Sequence, residues 1–222
     1  KMYRPVLPKY KGLAKKGFDV ISCQFSLHYY FKDEITLRNY IQNLADNCKV
    51  GGYFIGTCYD GMKVFQTLKS LPNQTLEMED EFGNKVYSVS KQYAIEDFTY
   101  TTDNKSDLFG QEISVYMNSI GQTISEYLVN FDMFVDIMKE YDFKLATPPL
   151  KGKYSGIFDT KPLSYTQGFG GFEQILKQLP QMQSNDGDLR NDYKDALEIM
   201  TGENTPLRTL SALNNWFIFQ KS

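Results

Sequence analysis

The sequence predicts an α/β fold built on a doubly wound, Rossmann-like sheet, and three features lead there. Phe18–Phe25 is an apolar, partly β-branched run, the pattern of a buried strand. Leu37, Tyr40, Ile41, Leu44, Ala45 and Cys48 then recur at helical spacing. A second apolar run, Tyr53–Tyr59, reads as a strand again. Strand, helix, strand in that order implies a parallel sheet with right-handed crossovers.

The remaining elements follow in order. Gly51 and Gly52 stop the first helix. Asp60 can cap a second helix carrying Val64, Phe65 and Leu68. Residues 71–105 are polar and turn-rich, with Glu77, Glu79, Asp80 and Glu81 clustered, and read as an insertion or loop. Within them Lys85–Ser90 forms a short strand after the Phe82-Gly83-Asn84 turn. Glu112–Asn118 alternates like another strand. Phe131, Phe134, Val135, Met138 and Tyr141 mark an amphipathic helix. Lys151–Gly171 reads as a long surface loop. Phe172, Ile175, Leu176 and Leu179 mark a helix ending at Pro180, and Ser184–Asp188 is a loop. Leu189, Tyr193, Ala196, Leu197 and Met200 mark the last helix, and Trp216–Phe219 is the final strand. One domain covers 1–222, with a basic leader at 1–17.

At 222 residues the chain can bury a real core. Its 16 Tyr and 16 Phe fit either an aromatic core or a pocket for flat rings. A net charge of −3 argues against a wide duplex-binding face, which needs a basic surface, but leaves room for a single nucleotide or a short RNA end. Lys1, Arg4, Lys9, Lys11, Lys15 and Lys16 make the leader locally basic, as solvated linker or as phosphate contact. Cys23, Cys48 and Cys58 show no metal-ligand spacing and fit a reducing compartment. Without a membrane-length apolar run or a signal-peptide pattern, the expectation is an intracellular, soluble protein.

Five separated blocks, FDVISCQFSLHYYF, GGYFIGTCYDG, EDEFGNKVYSV, SDLFGQEISVYM and ISEYLVNF, stand in an order and spacing that resembles the mRNA cap guanine-N7 methyltransferases. The closing LSALNNWFIFQK resembles the version in large DNA viruses. The resemblance implies an S-adenosylmethionine-dependent methyltransferase sheet and methyl transfer to N7 of the guanine on a capped RNA 5′ end. Residue by residue, it implies that Gln24 and Tyr29 touch the methyl donor. Phe25, His28 and Tyr29 become the floor of the guanine pocket, and Glu126 the carboxylate that reads the base edge. Some family members also line the pocket with an aromatic near the last strand; here Asn214, Asn215 and Trp216 occupy that region. By themselves, a histidine after a strand is ordinarily a loop residue and a glutamate before an apolar helix a solvated helix-start residue. The shared order of the blocks favours the site.

These residue types suit the chemistry. Guanine N7 carries a lone pair and no proton, and the sulfonium methyl is already activated. Alignment is required and a general base is not. His28 is then a hydrogen-bond donor to guanine O6. A Glu126 carboxylate can accept from N1–H and the exocyclic amine, a donor pair that adenine lacks. Phe25 and Tyr29 can stack on the purine.

The glycine-rich turn that holds the donor in this fold has no counterpart in the sequence. Gly168, Gly170 and Gly171 follow no strand pattern. The resemblance implies that the residues gripping the cap triphosphate also lie largely upstream. The expectation is therefore the carboxy-terminal part of such an enzyme, lacking the first strands, inactive alone and with an incomplete S-adenosylmethionine site. It includes self-association through the open edge of Phe18–Phe25. The competing readings are a non-catalytic cap-guanine binding or regulatory domain, and a different small-molecule methyltransferase.

Overall fold

A computed structural model describes residue 12, residues 15–147, 168–176 and 206–222. Strand β1 (Phe18–Gln24) runs parallel to β2 (Cys48–Tyr59), as the strand–helix–strand order predicts. Helix α1 (Glu34–Asn47) connects them. Its N-terminus is set by Asp33, whose side chain accepts from Thr36 N at 2.7 Å. Leu37, Ile41 and Leu44 form its buried stripe. Cys48 leaves the helix and starts β2 directly. The strand is longer than Tyr53–Tyr59 because Gly51, at φ +78°, takes a backbone turn that other residues resist. The pairing with β1 shifts register there. Asp60 then caps α2 (Gly61–Ser70) by accepting from Lys63 N at 3.0 Å. A Cβ on Gly61 would lie 2.3 Å from Val129 O, so only glycine lets this helix start seat against the neighbouring chain.

Beyond the parallel β1–β2 pair the sheet is antiparallel, a correction to the expected parallel sheet. β9 (Asn214–Lys221) inserts antiparallel beside β2, and β7 (Phe143–Leu145) and β8 (Phe169–Gly171) pair antiparallel with β9. The order is β1-β2-β9-β7. Phe54 and Phe134 each make ring contacts with Phe217 and Phe219, all four buried in its core. Here the aromatic richness serves the core. Among the described residues β1 has one strand partner, so it is an edge and only Cys23 of it is buried, against the expected buried strand.

Residues 71–105 are a further correction. They supply β3 (Thr75–Glu79) and β4 (Lys85–Lys91), which join β5 (Glu112–Met117) and β6 (Gln122–Tyr127) in a four-stranded antiparallel meander. The polar reading missed β3 because its outward residues are charged. Asp80 closes the β3–β4 turn, accepting from Phe82 N and Asn84 N. Helix α3 (Phe131–Lys139) follows β6, capped by Asn130, whose side chain accepts from Met133 N at 3.1 Å. It ends before the predicted Tyr141 because Asp142 turns to φ 64°. Of the predicted 151–171 loop, 168–171 are described, and Phe169–Gly171 is strand. Helix α4 (Phe172–Leu176) matches the start of the predicted helix, and α5 (Pro206–Ala212) was not expected. The predicted Ser184–Asp188 loop, the helix at 189–200 and most of the leader lie outside the described residues.

Candidate functional site

Between the two sheets lies a cavity of about 370 Å³, within the range of small-molecule sites. The turn that follows β1 builds one wall. Phe25 sits at φ +49°, held by its N–H donating to Thr57 O and Oγ1, both at 3.1 Å. This turn leaves the ring half-exposed at the cavity, edge-on to Phe172 at 6.0 Å. The 3-10 segment Leu27–Lys32 comes next. Leu27 and Phe31 anchor it, both wholly buried, and Tyr30 stacks on Tyr40 of α1 at 3.7 Å. His28 and Tyr29 line the cavity.

The opposite wall is β6. Glu126 lies on that strand, paired with Ile113, and is 6% exposed. Its place within a strand corrects the solvated helix-start alternative. Glu126 Oε1 lies 3.5 Å from His28 Nε2. The structure thus brings together the lone histidine and a carboxylate nearly a hundred residues away.

This contact is not a conventional ion pair. Burial pulls His28 down to about 4, and burial pushes Glu126 up to about 7. Both shifts disfavour charge, so a neutral imidazole faces a carboxyl group that titrates near neutrality. Tyr29 and Tyr59 are also raised, first by burial and then by the Glu126 charge, Tyr59 to about 12. Both nitrogens of His28, Glu126 Oε2 and Asn214 Oδ1 are buried without a hydrogen-bond partner among the described residues. Buried polar groups are normally satisfied. Three of these four atoms are on the facing residues of one cavity, where water or a polar ligand would satisfy them.

Asn214 lines this cavity, with its Nδ2 donating to Leu210 O at 2.8 Å. Trp216 instead packs with the cluster of Tyr53, Ala146 and Ile218. Tyr59, Met117, Ile124 and Phe172 complete the apolar lining and were not singled out in the sequence. Tyr59 could have been found, because ligands in open α/β sheets gather at the carboxyl ends of parallel strands.

Gln24 goes elsewhere. It lines a separate groove beside β1, with Ser22, Ser26, Asn43 and Asn47. Its Oε1 accepts from Thr57 Oγ1 and its Nε2 donates to Ser22 Oγ, both at 2.9 Å. Among the described residues, no carboxylate lines that groove. Among the described residues, no cluster of His, Cys, Asp or Glu is placed to hold a metal, and no helix is long and apolar enough to cross a membrane.

Residues 4–202 match the family described as the mRNA (guanine-N(7))-methyltransferase domain. The chain belongs to that family. The mRNA cap guanine-N(7) methyltransferase of Candida albicans is 28% identical over 207 residues, covering 88% of this chain and 40% of that protein. The Saccharomyces cerevisiae protein of the same name is 28% identical over 132 residues, covering 58% of this chain and 29% of that protein. A probable mRNA-capping enzyme of Acanthamoeba polyphaga mimivirus is 30% identical over 135 residues, covering 59% of this chain and 11% of that protein. The chain thus spans well under half the length of these guanine-N7 methyltransferase relatives. Among solved structures, the CcbJ methyltransferase from Streptomyces caelestis aligns with a TM-score of 0.48 at 10% identity, covering 95% of this chain and 63% of that one.

Proposed function

We propose that this chain supplies the guanine pocket for methyl transfer from S-adenosylmethionine to N7 of an mRNA cap. The observation that carries the reading is the buried His28–Glu126 pair at 3.5 Å, with unmatched polar atoms facing one aromatic-lined cavity. The ionised Glu126 accepts from guanine N1–H and the exocyclic amine. Such charge-assisted bonds contribute about 1.5–3 kcal/mol each. The neutral His28 donates to O6, and Phe25 and Tyr29 hold the ring faces. As N7 gains the methyl group the purine becomes cationic. The Glu126 carboxylate across the base then favours the charge-bearing state over the neutral substrate.

The sulfonium donor supplies an activated methyl carbon. On the described residues it finds Gln24 and Tyr29, and no acid to hold a ribose in the groove beside Gln24. We read the donor site as incomplete on these residues and this chain alone as inactive. The same observation favours a second reading, a cap-guanine binding domain without catalysis. The large-virus type rests on the closing motif and stands beside relatives from yeasts as well as the mimivirus protein. Self-association remains part of the proposal, on the single-partner edge of β1. A clean monomer at high concentration by sedimentation removes it.

Calorimetry tests the central reading. The chain should bind the cap analogue GpppA and not ApppA. Equal affinity for the two overturns the guanine assignment. Methyl transfer by this chain alone would restore a complete donor site.

A further inference from the structure

One polar contact in the pocket plays no part in that scheme. Tyr59 ends β2, and Tyr87 sits on β4 in the other sheet. Their hydroxyls meet at 3.1 Å, a hydrogen bond that joins the two sheets beside the cavity. Tyr87 is 1% exposed, and Tyr59 is its hydroxyl's partner among the described residues. A phenol enclosed this way must place its proton on an acceptor. Tyr87 therefore donates to Tyr59 Oη, and the proton of Tyr59 is free for a third group. The Tyr59 ring is fixed by near-parallel stacking with His28, at 6.0 Å between centroids and 27° between planes. Tyr59 and Glu126 line the same cavity.

We propose that Tyr59 is a further specificity-determining residue, its hydroxyl donating to the 6-oxo group of the purine, with Tyr87 as the residue that orients it. The proposal rests on the guanine reading. Glu126 accepts from N1–H and the amine, and the next atom along that edge is O6. A carbonyl oxygen has two lone pairs, so O6 can accept from Tyr59 and His28 together. Tyr59 adds selection at a position where adenine presents an amine, a donor facing a donor. N7 receives no donor and keeps its lone pair for the methyl group.

The test compares GpppA with its 6-thioguanine counterpart, whose sulfur is a poor acceptor but which keeps N1–H and the amine. Affinities are measured by calorimetry on the full chain. Tyr59→Phe should weaken GpppA about five- to tenfold, as for one neutral hydrogen bond, and leave the 6-thio ligand nearly unchanged. Tyr87→Phe, which touches no ligand, should cost GpppA about two- to threefold by the same reasoning. The double variant should match Tyr59→Phe alone, because both act through one proton. Equal losses on both ligands would mean a structural role and overturn the proposal, as would unchanged GpppA affinity. If Tyr59→Phe does not fold, the Tyr87→Phe ratio between the two ligands decides. Failure of the wild-type chain to bind GpppA removes the guanine reading itself, and this proposal with it.

Discussion

The cavity between the sheets and the groove beside β1 are built from neighbouring residues yet differ in kind. Gln24 and Phe25 are adjacent, but the chain turns through φ +49° at Phe25 and separates them. On the cavity side, His28, Glu126 and Asn214 are buried with unmatched polar atoms. On the groove side, Gln24 is exposed and hydrogen-bonded at both ends to Ser22 and Thr57. An unsatisfied buried group is costly, and a satisfied exposed one is not. The contrast locates a stability cost on the cavity side, which the proposed recognition of guanine would offset. It predicts which substitutions will matter.

The largest effect should come from Glu126. Glu126→Gln should weaken GpppA by about a hundredfold, the loss expected when charge-assisted bonds become neutral and one donor meets another. Calorimetry giving less than a threefold change would dissolve the contrast. The same variant should stabilise the fold at pH 8. The folded carboxyl titrates at about 7, above its unfolded value, so the native state holds the extra proton between the two. Glu126 therefore costs nothing at low pH, and its penalty grows as pH rises toward 7. Above that the penalty is on the order of 3 kcal/mol at most. Thermal melts should show Glu126→Gln above wild type at pH 8 and level with it at pH 4.5.

Next in size is the pH dependence of binding. On the proposed guanine reading, only an ionised Glu126 accepts from both guanine donors. With a midpoint at about 7, GpppA affinity should rise roughly tenfold from pH 6 to pH 8. His28 titrates at about 4 and contributes nothing in that window. A flat profile would place the recognising carboxylate elsewhere. His28→Ala should cost about five- to tenfold, one hydrogen bond and some packing. Gln24→Ala should leave GpppA affinity within twofold, since its groove is separate. A tenfold loss there would merge the two regions.

Much of the core was legible in advance. The α1 stripe of Leu37, Ile41 and Leu44, the Asp60 cap and the Trp216–Phe219 strand follow from local pattern and residue type. β3 was not legible, because its charged outward residues resemble a polar loop until the meander gives them a partner strand. β7 and β8 are three residues each, too short for a period to appear. The four pocket residues came from the order of separated blocks, which no local pattern supplies. Tyr59 was read only as a strand end, and Asn214 only as one of three residues in a region, for a related reason. They face each other across the β2–β9 pairing, and antiparallel register between distant strands is not written in either one.

That pairing also governs the order of assembly. β9 occupies the interior of its sheet, between β2 on one side and β7 and β8 on the other, although it is the last strand along the chain. A growing polypeptide emerging from the ribosome must hold those neighbours apart until residues 214–221 have been synthesised. Until then both flanking edges stay open to wrong pairing.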